Sequence, residues 1–534
     1  MKKLLSKLVL FICFVGCILS CNPPQLEINT HSEHNENDTI SEAHGLKHDQ
    51  PLPDTVFQSV KLMKYKITIA DSAMDGTIHS YDNLYEGIDG ILTFRGMPNR
   101  IPHFTGAITG RPSEISIDWS FKTDYDTVQT KSGVWGGGNG WTGQPLYINW
   151  DDLEVKRRLK RQPDSTFKGK EIIISSLCGY VYFLDYETGK QKRMKVLVNN
   201  PVKGTAMLDP TMNGYLYVGQ GIPRTTPFNP VVIDVFQNRV IQHLQRDPDI
   251  WRSWNAFDSS PIATGDFVFW AGENGTIYKF SRNTVGLKLH SKLQYKVGAQ
   301  GAPGIESSTV VYRNYGYTAD NHGNILCFNL NNMQPVWLYQ YQDDTDGTML
   351  LEEDVEGNVY LYSGCEVDKM PSPGYSRFIK LNALTGELIW KQEFACKKSV
   401  LGEKSFDGGM YSTPLLGGGN CSEMIFTNIV TNRPFGTGDF VAISKSTGEI
   451  VYRIPLKWYA WSSPVALYNE RGEMFIFIGD TQGRAYVFDG KTGDLLINKK
   501  IGLNFEASPI IIGNKVIIGS RGTGIFKLRI ECKN

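Results

Sequence analysis

Six of the eleven tryptophans of this chain, Trp135, Trp141, Trp251, Trp254, Trp458 and Trp461, crowd into a few short stretches, 133–141, 246–259 and 457–461. Asp258, Glu306, Asp407 and Glu506 lie in or near stretches of the same kind, and Arg224 sits in the proline-rich run 222–230. Indole rings offer wide apolar faces, and a few carboxylates or a guanidinium can fix the orientation of whatever lies on them, which is the composition of a ligand funnel. A sugar, a peptide and a protein loop fit such a funnel equally well. The same residue types also suit a plainer arrangement, with rings wedged between neighbouring structural units and carboxylates capping turns. Six cysteines beyond Cys21, at 178, 327, 365, 396, 421 and 532, form no CxxC or CxxCH motif, so neither a zinc ribbon nor a c-type haem is indicated.

The elements that must position these residues announce themselves by repetition. The stretch 380–390 reads Lys-Leu-Asn-Ala-Leu-Thr-Gly-Glu-Leu-Ile-Trp, and weaker copies end at Gly189, Gly448 and Gly493. Each copy has Asp, Asn or Ser (Asp185, Asn382, Ser444, Asp489), then Thr three residues on, then Gly. The first side chain can bond its own downstream backbone while the glycine takes a left-handed conformation, which closes one strand onto the next. Upstream lie alternating β-branched and aromatic runs that open on a turn glycine, such as those from Gly179, Gly275, Gly323 and Gly483. Another run follows Ser-Pro or Thr-Pro, at Pro261, Pro414, Pro464 and Pro509, where proline suits the first residue of a strand. The unit is therefore four short antiparallel strands, A to D, with A after the proline and D after Thr-Gly.

Entries to strand A fall at Pro145, near Ala206, at Pro261, Ser308, near Gly347, and at Pro414, Pro464 and Pro509. The last unit stops after strand C, at 525–530, while an unassigned strand, 115–121, precedes the first unit. Supplying it would close a ring and protect the open edge. The expected fold is all-β: an eight-bladed propeller of four-stranded antiparallel blades, closed by an N-terminal strand. The D-to-A and B-to-C connections emerge on one side of such a ring, and these carry the tryptophans, Arg224 and the carboxylates.

The hairpin pattern resembles the repeat of PQQ-type, quinoprotein alcohol dehydrogenase-like β-propellers. Asn382, Gly386 and Trp390 match its polar, glycine and tryptophan positions, and Ala442, Ser444 and Gly448 match with Tyr452 in the tryptophan's place. Asp185 with Gly189, and Asp489 with Gly493, fit without the aromatic residue, and the run Phe94-Arg-Gly-Met-Pro-Asn-Arg100 looks like the segment preceding the first blade in such proteins. The resemblance covers roughly residues 115 to 530 and implies two functional classes. One is a non-enzymatic binding or scaffold lipoprotein, similar to the propeller lipoprotein of the outer-membrane β-barrel assembly machinery. The other is a dehydrogenase in which PQQ stacks over Ca²⁺, or another periplasmic enzyme acting on a small molecule or polysaccharide. Quinoprotein dehydrogenases commonly carry adjacent cysteines above the cofactor, and this chain has no Cys-Cys pair. The binding class is favoured, with neither PQQ nor calcium expected.

Lys2, Lys3 and Lys7 precede an apolar run that ends in Ile18-Leu-Ser-Cys21, which resembles a bacterial lipobox with Cys21 as the acylated residue. The expected organisation is a lipoprotein signal peptide at 1–20, a disordered tether at 21–55, a lead-in at 56–111 and the propeller at 112–534. Polar composition marks the tether, which also holds His31, His34, His44 and His48, read as solvated residues. This organisation implies an envelope protein, lipid-anchored to the membrane, on the periplasmic side of the outer membrane. Lys plus Arg equals Asp plus Glu at 55 each, so no net field favours nucleic acid. The expected partner is an envelope protein or a saccharide or peptide ligand.

Overall fold

The structure is a computed structural model that describes residues 50–161, 163–282, 285–341, 343–401, 404–522 and 524–533. The expected signal segment, Cys21, the four histidines and the expected tether up to residue 49 lie outside the described residues. No helix among the described residues is long and apolar enough to cross a membrane.

The strands form an eight-bladed propeller of antiparallel blades. Blade 3 illustrates the unit, with strands Ile262–Thr264, Phe267–Gly272, Thr276–Ser281 and Lys288–Val297 hydrogen-bonded in order. The ring closes as the repeat count requires: Arg111–Lys122 pairs antiparallel with Gly524–Lys533, setting Ile115 against Ile530 and Phe121 against Ile525. The lead-in also contributes strands. Met63–Ile69 covers the outer edge of blade 3, and Gly90–Ile91 pairs with the innermost strand of blade 1. Leu52 is buried, and its backbone N–H donates to Asn314 Oδ1 at 2.6 Å.

The repeated hairpin does two jobs. Within a blade, the Thr385 N–H donates to Asn382 Oδ1 (3.1 Å) and Gly386 takes φ +75°. Between blades, that glycine receives the aromatic ring of the preceding blade. A Cβ on Gly386 would lie 2.7 Å from Trp337, and one on Gly448 would lie 2.7 Å from Trp390. The indole N–H of Trp337 donates to Ala383 O at 3.0 Å, and that of Trp390 donates to Lys445 O at 2.9 Å. Tyr452 substitutes its hydroxyl, which donates to Gly490 O at 2.9 Å. Each ring thus buries apolar area against the next blade while its polar edge stays satisfied.

At the axis, each blade presents three tiers of residues just before strand A. Two residues before the strand stand Gln144, Thr205, Ser260, Ser308, Thr348, Thr413, Ser463 and Ser508. Their hydroxyls stitch one blade to the next: the Ser260 N–H donates to Ser308 Oγ (2.9 Å), Ser308 N–H to Thr348 Oγ1 (2.9 Å), and Thr413 N–H to Ser463 Oγ (3.0 Å). One residue earlier, the position is always Gly, Ser or Ala, because neighbouring backbones crowd it. A Cβ on Gly204, for example, would lie 2.0 Å from Asp258 O. The segment Phe94 to Arg100 runs through the axis. The guanidinium of Arg95 donates to Pro464 O and Thr413 O (both 2.9 Å), and that of Arg100 to Thr309 O (3.0 Å) and Ser260 O (3.2 Å). Burial lowers these two groups to about 9 and about 10.

Candidate functional site

The third tier, four residues before strand A, forms the rim of the axis: Thr142, Lys203, Asp258, Glu306, Asp346, Tyr411, Trp461 and Glu506 in blade order. Unlike the tiers beneath, it varies in charge, size and shape. Above it lies a cavity of about 710 Å³, walled by side chains from the D-to-A and B-to-C connections. Trp135, Trp141, Trp254, Trp458, Trp461, Glu306, Asp407 and Glu506 all line it. Asp258 lies at its base, buried behind Lys203, with which it is ion-paired.

Three of the expected residues are not in the wall of this cavity: Asp258, which lies behind Lys203, Arg224 and Trp251. Arg224 turns aside to pair with Asp126 at 2.6 Å, and Trp251 does not line the space. The aromatic residues divide in the same way. Trp135 and Trp461 are buried, packed edge-on against Trp141 at 6.1 and 5.4 Å between ring centres, and so serve largely as packing. Trp141, Trp254 and Trp458 are half-buried and face the cavity.

The charged groups on the wall are paired among themselves. Arg521 meets Glu506 at 3.2 Å and lies 4.9 Å over the Trp135 ring, while Asp407 pairs with Lys398 at 3.0 Å. Lys203 pairs with Asp258, stands 3.6 Å from Glu306, and lies 4.4 Å over the Trp141 ring. Burial alone would lower the Lys203 pKa, but the charges of Asp258, Glu306 and Glu273 outweigh it and hold the ammonium well above its usual range. Burial raises Asp258 against the pull of Lys203, and burial with the nearby charges of Glu306 and Asp258 raises Glu273 well above the carboxylate range. Around the rim a second group, Asp344, Asp346 and Glu366, is raised by burial, Asp344 to about 7.

No protein-family model and no curated protein matches the chain. Among solved structures, a europium-containing methanol dehydrogenase matches over 82% of this chain and 90% of its own, at 14% identity and a TM-score of 0.54. The quinohemoprotein alcohol dehydrogenase from Comamonas testosteroni matches over 83% and 81%, at 12% identity and a TM-score of 0.57. This chain has the PQQ-type propeller fold. BamB from Moraxella catarrhalis covers 72% of the chain and 98% of its own length at 15% identity, with a TM-score of 0.46, too low to carry weight. At such identities the likeness establishes the architecture and leaves the activity to the residues.

Two groups of three carboxylates among the described residues could approach a cation: Asp344, Asp346 and Glu366 and, at the base of the cavity, Asp258, Glu273 and Glu306. The latter group does not fit the calcium that the resemblance implies. Asp258, Glu273 and Glu306 bring one oxygen each within 4.8 Å of one another, close enough to share a cation. Calcium needs six to eight oxygen ligands around an open centre, yet here the Lys203 ammonium is already on Asp258 and beside Glu306. Sequence reasoning passed over Lys203, Glu273, Asp346 and Tyr411. The signal that finds three of them is the rim register itself, since Lys203, Asp346 and Tyr411 hold the position that Asp258, Glu306 and Glu506 hold in other blades.

Proposed function

We propose that this chain is a non-enzymatic binding module of the bacterial envelope that receives a ligand or partner loop in its axial cavity. The reading rests on one observation: the cavity has half-buried indole walls, while its charged groups are committed to one another in ion pairs. Such a wall supplies contact area and fixed polarity for holding a guest. On this reading the chain is held by a lipid on Cys21, on the periplasmic side of the outer membrane, and its partner is an envelope protein, a saccharide or a peptide. Lys203, already on Asp258 and beside Glu306, disfavours a metal at that carboxylate group and with it PQQ-dependent oxidation there.

The test uses the full lipidated chain in its native envelope. A photocrosslinker at Phe435, which lines the cavity and is 39% exposed, should trap a defined component. Trp254→Ala should reduce the trapped fraction roughly tenfold, as loss of an aromatic anchor does, with an unchanged melting temperature. Equal trapping by the folded variant would sink the reading of this cavity as the contact site. Cys21→Ala should release the chain from carbonate-washed membranes, and retention there would rule out the lipid anchor.

A further inference from the structure

Three carboxylates from two adjacent blades converge at the base of the cavity. Asp258 and Glu306 hold the rim positions of blades 3 and 4, and Glu273 follows strand B of blade 3. Their oxygens lie within 4.8 Å of one another. Glu273 is only 4% exposed, and its Oε1 has no hydrogen-bond partner. Burying carboxylates this closely is costly unless a cation or a proton joins them. Arg252 stands 3.6 Å from Glu273 at the outer side of the group, and the cation on Asp258 and Glu306 comes from the rim position of blade 2, one step round the ring. The Lys203 side chain is 6% exposed, with its ammonium on Asp258, 3.6 Å from Glu306 and under the Trp141 face.

We propose that Lys203 is a tethered counter-cation standing where a metal ion would stand, so that this propeller keeps a metal-type floor with the cation built into its own chain. Three consequences follow. The floor is insensitive to chelators. Its charge is fixed by the fold instead of by metal supply. Removing the ammonium leaves three convergent carboxylates that recruit a hard cation from solution, because such ions favour oxygen ligands.

Terbium is the probe, with Trp141 beside the Lys203 ammonium as its antenna. In the full-length protein, Lys203→Ala should gain a saturable tryptophan-sensitised terbium emission, at least about tenfold tighter than any wild-type signal. Adding Asp258→Asn to that variant should abolish the gain, which separates this site from the Asp344, Asp346 and Glu366 group. Lys203→Arg should gain nothing, since it keeps the charge. A folded Lys203→Ala that gains no emission overturns the proposal, and so does wild-type protein that binds terbium as tightly at a site lost in Asp258→Asn. If Lys203→Ala does not fold alone, recovery of a cooperative melt by terbium supports the proposal, and failure of terbium to restore it overturns it. The outcome is independent of the crosslinking test, so loss of either reading leaves the other standing.

Discussion

The hydroxyl tier and the rim tier lie two residues apart in the same eight segments, yet they obey different rules. In the lower tier the residues are Ser or Thr in every blade but one, where Gln144 stands, and the hydroxyls accept backbone N–H groups across blade boundaries. In the upper tier the same ring reads threonine, lysine, aspartate, glutamate, aspartate, tyrosine, tryptophan and glutamate. A tier that satisfies the same buried donor at several blade boundaries converges on one chemistry. The rim has no shared backbone task, and its irregular composition marks the part of the axis that is free to meet something other than itself. Repetition therefore locates what builds the ring, and the break in repetition locates the site.

The sharpest way to test that division is to remove a repeated element outright. Deleting 111–122 takes the outer strand from blade 8, exposes the edge of Gly524–Lys533, and removes Trp119, whose indole N–H donates to Tyr186 O of blade 1 at 2.9 Å. The expected loss is comparable with the whole stability of an ordinary domain, about 5–15 kcal/mol, so the truncated chain should show no cooperative melt. A melt like that of the full chain would refute closure of the ring by this strand.

A finer cut compares the tiers directly. Ser463→Ala leaves the Thr413 N–H without its acceptor in a site closed to solvent, at a cost of about 1–3 kcal/mol. Glu306→Gln on the rim keeps the shape and an acceptor, and Lys203 keeps Asp258, so its cost should stay below about 1 kcal/mol. Denaturant titration of both variants decides the matter, and equal losses would erase the distinction between builder and rim.

Much of this was legible in the residues themselves. The Asn382 and Gly386 hairpin, the blade count and the closing strand all follow from local backbone chemistry, which a short stretch of sequence carries in full. The pairing of Trp390 with Gly448 did not, because ring and glycine belong to different blades and only the propeller brings them together. The rim was half-legible. Asp258, Glu506 and Trp461 stand just before prolines that mark strand A, whereas Lys203 and Asp346 precede entries without that landmark, near Ala206 and Gly347. Asp407 stands near the register position that Tyr411 holds, and the phenol there carries no charge to mark it in the sequence. Ile222 of the proline-rich insertion lines the cavity, whereas Arg224 pairs with Asp126, a contact between distant segments that no local pattern encodes.

The last comparison sets a carboxylate beside the rim against the hydroxyl tier by pH. Burial raises Asp344 to about 7, Lys369 opposes this and Glu306 adds to it, whereas the hydroxyl tier does not titrate. A folded pKa above the unfolded one means that the neutral acid is the form the fold prefers. Its contribution is complete below the unfolded pKa, near 4, and is lost as the pH rises toward about 7. Surface carboxylates such as Glu154, lowered to about 2 by Arg157 and Arg158, act in the opposite sense and lose their contribution only in acid, so they do not mask a slope above the unfolded pKa. Asn mimics the protonated acid, and Lys369 keeps Asp368 as a partner. Asp344→Asn should therefore match wild type near pH 4 and exceed it near pH 8 by on the order of 1 kcal/mol, read as a melting-temperature difference that opens with pH. Ser463→Ala should instead give a difference that is constant across the same range. Two parallel curves for Asp344→Asn and wild type would show that this acid, beside the rim, is solvated like any other and that its surroundings carry no special electrostatics.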